Sequence, residues 1–133
     1  MNFTLGSKNV LKSIYPMIFK VLDYNQIPVI LSKDTWYKKL LDPIFGHPEI
    51  KTYLVQIKFA IRNPDYVYAS IFDYRSKLFI RKITNGKFAS YFLVVVIKYV
   101  KEQNKTIGYV STVMINRKLP KANQPLWERK VLT

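Results

Sequence analysis

The sequence predicts an α+β fold in which N-terminal helices pack on a curved antiparallel sheet of four or five strands. Helical periodicity is confined to the first 62 residues, and β-branched and aromatic runs dominate the part that follows. Short connections between those runs favour antiparallel pairing. With 133 residues the chain fits one compact domain. We expect an N-terminal extension over residues 1–26 and a folded domain over residues 27–133.

Two helical patterns follow a short strand in the first half of the chain. Residues 27–31 are apolar and predict the strand, and Ser32 offers an N-cap for a helix that carries Trp36 and Leu40. A second amphipathic helix starts at Pro48 and ends at the Asn-Pro-Asp of residues 63–65. Its apolar face consists of Ile50, Tyr53, Leu54, Ile57 and Ile61.

In the extension, apolar residues are spaced as a helical stripe that Pro16 interrupts. The stripe consists of Val10, Leu11, Ile14, Ile18 and Leu22.

The second half predicts four more strands, at residues 66–72, 77–83, 88–100 and 105–114. Turn-forming clusters separate them. Residues 93–97 are apolar at every position, which predicts a central strand buried on both faces.

The charge balance indicates the class of partner. The chain has 22 Lys and Arg against 8 Asp and Glu, a net charge of +14, and 15% aromatic residues. These values predict a polyanionic partner, most commonly nucleic acid. A membrane surface is the competing partner, but the sequence has no basic amphipathic helix, lipidation signal or apolar run of spanning length. We therefore expect a cytoplasmic protein that does not bind membranes.

Several kinds of chemistry are excluded by composition. The chain has no cysteine, one histidine and four glycines. Thiolate zinc sites, disulfides and glycine-rich phosphate loops are therefore ruled out, and scattered carboxylates make a two-metal nuclease improbable. We expect neither a metal nor a cofactor. Metal-free cleavage of nucleic acid is feasible for RNA, whose 2′-hydroxyl is an internal nucleophile.

The single histidine, His47, stands in the sequence Gly46-His47-Pro48-Glu49-Ile50, at the start of the second helix. A helix N-terminus disfavours the protonated imidazole, so His47 is suited to accept a proton near pH 7. The alternative is that His47 only caps the helix.

The order of these motifs resembles the phage Barnase-EndoU-colicin-RelE-like nuclease domains (BECR fold), which are often found beside toxin or mobile-element genes. The resemblance covers roughly residues 27–128 and is carried by the following sequence of features: the strand ending at Ser32, the helix with Trp36, the segments at residues 47–50, 63–65, 78–81, 92–98 and 110–113, and Trp127. It implies a metal-independent endoribonuclease of the barnase and RelE type, with the active site on the concave face of the sheet.

The resemblance also implies three catalytic residues. His47 matches the histidine at the helix start, Arg81 the basic residue of the second strand, and Thr112 the hydroxyl residue of a late strand. His47 would act on the 2′-hydroxyl, Arg81 would stabilise the phosphorane, and Thr112 with Lys98 would hold the phosphate. The products would be a 2′,3′-cyclic phosphate and a 5′-hydroxyl. The alternatives are an exposed edge role for Arg81 and plain β-propensity for Thr112.

Further substrate-binding residues are expected at Lys98, Ser111, Arg75, Tyr74 and Trp127. Their alternatives are a snorkelling Lys98, a solvated turn at residues 74–75 and a core position for Trp127. The expected partner is RNA, with an acidic antitoxin or immunity protein as a possible second partner. The competing hypothesis for the whole chain is a catalytically silent module that binds nucleic acid or an antitoxin.

Overall fold

The computed structural model describes residues 16–120 and 124–130. Seven strands form one sheet in the order β1-β2-β6-β5-β4-β3-β7. The strands are β1 (Met17–Leu22), β2 (Pro28–Ser32), β3 (Tyr66–Ala69), β4 (Ser76–Lys82), β5 (Phe92–Glu102), β6 (Lys105–Asn116) and β7 (Trp127–Glu128). Between β2 and β3 lie a π-helical segment (Thr35–Leu40), a 3-10 helix (Pro48–Tyr53) and helix α1 (Leu54–Arg62).

The expected fold class is wrong. Strands make up 42% and helical segments 21%, and the sheet has seven strands instead of four or five. It is also mixed, because β2 pairs with β6 in parallel while every other pairing among the described strands is antiparallel. The helical segments are six to nine residues long, and they follow the first two strands instead of preceding the sheet.

The five strands expected from the sequence are all present, with boundaries shifted by a few residues. The central position of residues 93–97 is confirmed. Strand β5 is the fourth of seven, and Leu93, Val94, Val95 and Ile97 are at most 1% exposed, whereas Val96 on the outer face is only partly buried. Hydrophobic side chains without a break therefore mark the strand that is covered on both faces.

The extension contributes to the sheet. Residues 17–22 form β1, which pairs with β2, so Ile18 and Leu22 lie on a strand and not on a helical stripe. The other members of that stripe, Val10, Leu11 and Ile14, lie outside the described residues.

The predicted helix boundaries are close to those observed, but the helical geometry differs. A helix does begin at Pro48, but its first six residues are 3-10 and only the following nine are α-helical. Ile50, Ile57 and Ile61 are fully buried, as their spacing predicts. Ser32 accepts a hydrogen bond from the Thr35 amide at 3.0 Å, but the segment that follows is π-helical.

The two faces of the sheet carry different clusters. The helix face, defined by Val29, Phe79, Val95 and Val113, packs against α1 and the π-helical segment in the main core. The outer face carries a smaller cluster around Ile80 and Val94, and the side chain of Leu119 packs against it. None of the helices in residues 16–120 and 124–130 is long and apolar enough to cross a membrane.

Candidate functional site

A pocket of about 290 Å³ lies between α1 and the end of β4. Helix α1 contributes Phe59 and Arg62, β4 contributes Arg81 and Lys82, and the loop after β4 contributes Asn85. Three cations line this pocket, and none of the described residues that line it is acidic. The pocket therefore offers positive charge, an aromatic ring and polar groups in one small volume, which is what a nucleotide requires.

Arg81 is the most firmly held of the three cations. Its guanidinium donates a hydrogen bond to the Asn63 carbonyl at 2.6 Å and lies 4.3 Å from the centroid of the Phe59 ring. Its Nη1 is 3.6 Å from the Asp65 carboxylate, and the side chain is 28% exposed. The guanidinium is thus positioned before any ligand arrives, so little side-chain entropy is lost on binding.

The electrostatics around Arg81 favour an anion. Desolvation lowers the pKa of Arg81, and the positive charge of Arg129 lowers it further, against the opposite effect of Asp65. Arg81 stays charged all the same, since an arginine titrates far above neutral pH. A phosphate in the pocket would offset the cost of holding this charge away from water.

Asp65 does not cancel the positive charge of the pocket. Its carboxylate accepts hydrogen bonds from Arg129 Nε at 3.2 Å and from the Lys82 amide at 2.8 Å. Arg129 also donates to the Asn63 carbonyl at 2.6 Å. The carboxylate is therefore shared between two guanidiniums, and the positive charge around it is in excess.

Local sequence explains why Arg81 faces the helix. Arg81 lies on the same face of the sheet as Phe79, two residues before it in β4, and Ile83, which directly follows β4. Arg81 pairs with buried Leu93 of β5. Pro64 follows the end of α1, where no further turn of helix donates amide groups to the last carbonyls. The carbonyl of Asn63 is left available there, and the guanidiniums of Arg81 and Arg129 bind it.

His47 lies at the other end of this helical segment, as the N-cap of the 3-10 helix. Its imidazole is 42% exposed, and Nδ1 lies 3.5 Å from Glu49 Oε2. Gly46 makes this position possible, because a Cβ there would lie 2.5 Å from the Leu40 carbonyl oxygen. The His47 amide donates to that same carbonyl at 2.7 Å.

The three expected catalytic residues do not converge. Arg81 lies on the helix face of the sheet, since it pairs with Leu93 of the main core. Thr112 pairs with Val96 of the smaller cluster and lies on the outer face. His47 lies at the opposite end of the helical segment from Arg81, because the 3-10 helix and all of α1 separate it from Asn63, which binds Arg81.

Three of the expected substrate-binding residues do converge, at the loop between β3 and β4. Arg75 Nε and Lys98 Nζ lie 3.7 Å and 3.9 Å from the Asp73 carboxylate, and the Arg75 guanidinium is 5.9 Å from the Tyr74 ring. This group lies at the end of β4 that is distant from Arg81.

The other two expected residues have structural contacts. The Ser111 hydroxyl donates to the Val96 carbonyl at 3.2 Å, at the bulge between β5 and β6. Trp127 is partly buried and packs against Tyr24 in the main core. The structure therefore favours the core position over RNA stacking for Trp127.

Arg81 is the one predicted site residue among those described as lining the pocket, and the aromatic ring of Phe59 and the cation of Arg62 were not expected from the sequence. Arg62 lies on the polar face of the predicted helix, where an exposed cation is ordinary. The signal that would have identified this site is Arg81 near the end of a strand, on the face that packs against the end of a helix. Lys82 pairs with Phe92 of the smaller cluster and lies on the other face of the sheet.

No protein-family model matches the chain, and neither a curated protein nor a solved structure matches it. Within residues 16–120 and 124–130, no group of three His, Cys, Asp or Glu side chains is placed to hold a metal ion.

Proposed function

We propose that the protein binds single-stranded RNA, with one nucleotide of the strand in the pocket between α1 and β4. The observation that carries this proposal is the fixed Arg81 guanidinium, which lies over Phe59 in a pocket that Arg62 also lines. The net charge of +14 supports it, because phosphate contacts supply most of the affinity for nucleic acid.

A single strand fits this pocket better than a duplex does. The phosphates of a duplex lie on a regular outer surface, whereas a pocket of about 290 Å³ receives one unstacked nucleotide. The Phe59 ring is 42% exposed and contributes aromatic surface for a base.

The test is a titration of a labelled 12-nucleotide RNA with the wild type, with Arg62→Gln and with Lys38→Gln. Lys38 is the matched control, because it is 79% exposed on the π-helical segment and its removal changes the net charge equally. We expect Arg62→Gln to weaken binding about 10-fold and to reduce the salt slope by about 0.7 for each lost phosphate contact.

Equal effects of the two variants would mean that RNA binds only through the overall charge, and the pocket would be rejected as the site. A DNA strand and an RNA hairpin of the same sequence complete the series. Tighter binding of either one than of single-stranded RNA would contradict the proposed ligand.

A second function is favoured by the His47–Glu49 pair. The Glu49 carboxylate lies 3.5 Å from Nδ1 of the imidazole, and a histidine beside a carboxylate is a common setting for a general base. We propose that His47 removes the proton of a ribose 2′-hydroxyl, that this oxygen bonds to the adjacent phosphorus, and that the bond to the 5′-oxygen breaks. The departing 5′-oxygen takes a proton from water, so the products are a 2′,3′-cyclic phosphate and a 5′-hydroxyl. An acidic inhibitor protein that covers the cations in the cytoplasm would accompany such an activity.

This second function is tested by end analysis of RNA incubated with excess protein, with and without EDTA. We expect a 2′,3′-cyclic phosphate in both cases, and a loss of about 100-fold in rate for His47→Gln with unchanged RNA affinity. A strand with one 2′-deoxy substitution at the cut position should bind and stay intact. Cleavage of that strand at the same position would refute the mechanism, and no cleavage of any strand would leave a binding module alone.

A further inference from the structure

The loop between β3 and β4 displays three apolar side chains to solvent. Ile71, Phe72 and Tyr74 are 69%, 92% and 93% exposed. Exposed aromatic rings of this kind are unusual for a surface without a partner. Their exposure therefore indicates that the loop is a surface that binds a partner.

The loop is well anchored in spite of this exposure. Ser70 Oγ accepts hydrogen bonds from the amides of Phe72 and Asp73, and the Asp73 carboxylate accepts one from the Arg75 amide at 3.1 Å. The Ser76 hydroxyl donates to the same carboxylate at 2.9 Å. The hydrogen bonds that order the loop involve backbone groups and the short side chains of Ser70, Asp73 and Ser76. The aromatic rings make none of these bonds, so they are free to contact a ligand.

The base of the loop is cationic. Arg75 and Lys98 flank Asp73, so two positive charges surround one negative charge directly beside the rings. Their side chains are 45% and 39% exposed and can reach a ligand. Aromatic rings next to cations are the combination that binds the bases and phosphates of a single strand.

We infer that this loop is a second contact for the same RNA strand, in which Phe72 and Tyr74 stack on bases while Arg75 and Lys98 bind phosphates. The inference rests on the proposed RNA-binding function and extends it to a site of defined length. Arg75 precedes the first residue of β4, and Arg81 lies near its end. Lys98 shares the outer face with Val96, two residues before it, so an RNA strand bound at both contacts leaves the helix face at Arg81 and passes around the end of the sheet to reach Lys98.

The geometry of β4 sets the length of the ligand. Its seven residues span about 20 Å at a rise of about 3.3 Å per residue. A stacked strand covers this distance with about 6 nucleotides at about 3.4 Å each, and unstacking at the two contacts lengthens the spacing, so about 6 nucleotides suffice to reach both contacts. The shortest strands can occupy only one of them.

The experiment measures the affinity of RNA strands of 3 to 12 nucleotides for the wild type and for the double variant Phe72→Leu/Tyr74→Leu. Leucine keeps the apolar character of the loop but removes the aromatic faces. We expect wild-type affinity to rise up to about 6 nucleotides, and the double variant to bind the 12-nucleotide strand about 10-fold more weakly. Its salt slope should equal that of the wild type, because no phosphate contact is lost.

Ile71→Ala is the matched control, because it removes apolar surface from the same loop without removing a ring. It should bind RNA as the wild type does. If the wild type binds RNA and the double variant binds it equally well, the second contact is rejected while the pocket stands. If the wild type binds no RNA, both proposals fail together.

Vesicles of phosphatidylcholine and phosphatidylserine test the competing partner for the loop. Insertion into a membrane depends on apolar area, so Ile71→Ala would then weaken vesicle binding and the leucine substitutions would largely preserve it. That pattern, with RNA binding unaffected by either variant, would overturn the inference in favour of a membrane contact.

Discussion

The rings of Tyr24 and Trp127 lie 5.3 Å apart, although they belong to opposite edges of a seven-stranded sheet. Tyr24 directly follows β1, and Trp127 begins β7. Tyr24 also makes an edge contact with Phe79 of β4, with centroids 5.6 Å apart. A flat sheet would hold its edges far apart, so this contact requires strong curvature of the sheet around the main core.

We expect the Tyr24–Trp127 contact to contribute a measurable coupling energy. In a double-mutant cycle of Tyr24→Leu and Trp127→Leu, the coupling in the free energy of unfolding should be about 0.5–1.5 kcal/mol. The measurement is urea unfolding of the four proteins at pH 7. A coupling near zero would mean that the two edges are held together by other contacts.

A second prediction concerns alkaline pH. Tyr99 donates a hydrogen bond of 2.7 Å to Asp23, which is 3% exposed. Burial raises the pKa of Tyr99 above its ordinary value of 10.0, and the bond to Asp23 raises it further. The folded state therefore retains this proton at a pH where the unfolded state releases it, so stability falls as pH rises above 10.

The expected contribution of Tyr99 to this loss is up to about 1.4 kcal/mol per pH unit. The wild type and Tyr99→Phe are compared by urea unfolding between pH 8 and pH 11. The difference between them isolates Tyr99 from the lysines and other tyrosines. Parallel curves for the two proteins would show that the Tyr99 proton is not linked to folding.

A third prediction separates loop geometry from charge. Asp73→Ala removes a negative charge beside Arg75 and Lys98, which on charge alone should tighten RNA binding. The same carboxylate orders the loop, and hydrogen bonds from the Arg75 amide and the Ser76 hydroxyl keep its pKa below its ordinary value. We expect weaker binding, because the rings lose their fixed positions. Tighter binding in an RNA titration would show that charge outweighs geometry.

A fourth prediction concerns the turn between β5 and β6. Gln103 and Asn104 have φ angles of 53° and 64°, as a type I′ turn requires. Gln103→Asn with Asn104→Gly supplies the residues that this turn prefers, so the free energy of unfolding should rise by about 1 kcal/mol. Thermal and urea unfolding measure this gain. An unchanged or lower stability would indicate that the native side chains at this turn make stabilising contacts.

The sequence predicts the strands better than their arrangement. The central position of residues 93–97 is predicted correctly because a strand that is apolar at every position is stable only where both faces of the sheet are covered. Strand β1 could not be predicted, since Lys20 interrupts its apolar residues and Pro16 precedes it. The parallel pairing of Val29 with Gly108 joins residues 79 positions apart, and no local pattern encodes such a contact.

The candidate site illustrates the same limit. The apolar residues Phe79 and Ile83, two positions to either side of Arg81, predict the face of the sheet on which Arg81 lies. They do not predict that α1 ends above that face. Thr112 lies on the other face of the sheet, and the face depends on pairing with Val96 next to a bulge. Which residues of different strands share a face depends on how the strands pair, and a single sequence does not reveal that pairing.

The parallel contact between β2 and β6 has a consequence for the newly made chain. Strands β3 to β6 are consecutive and can pair with one another through short turns. The hairpin of β1 and β2 is synthesised first, but it has no partner until residues 108 and 109 have left the ribosome. We therefore expect this hairpin to join the sheet only after β6 has formed, as a step of high contact order, although its two strands precede β3 to β7 in the chain.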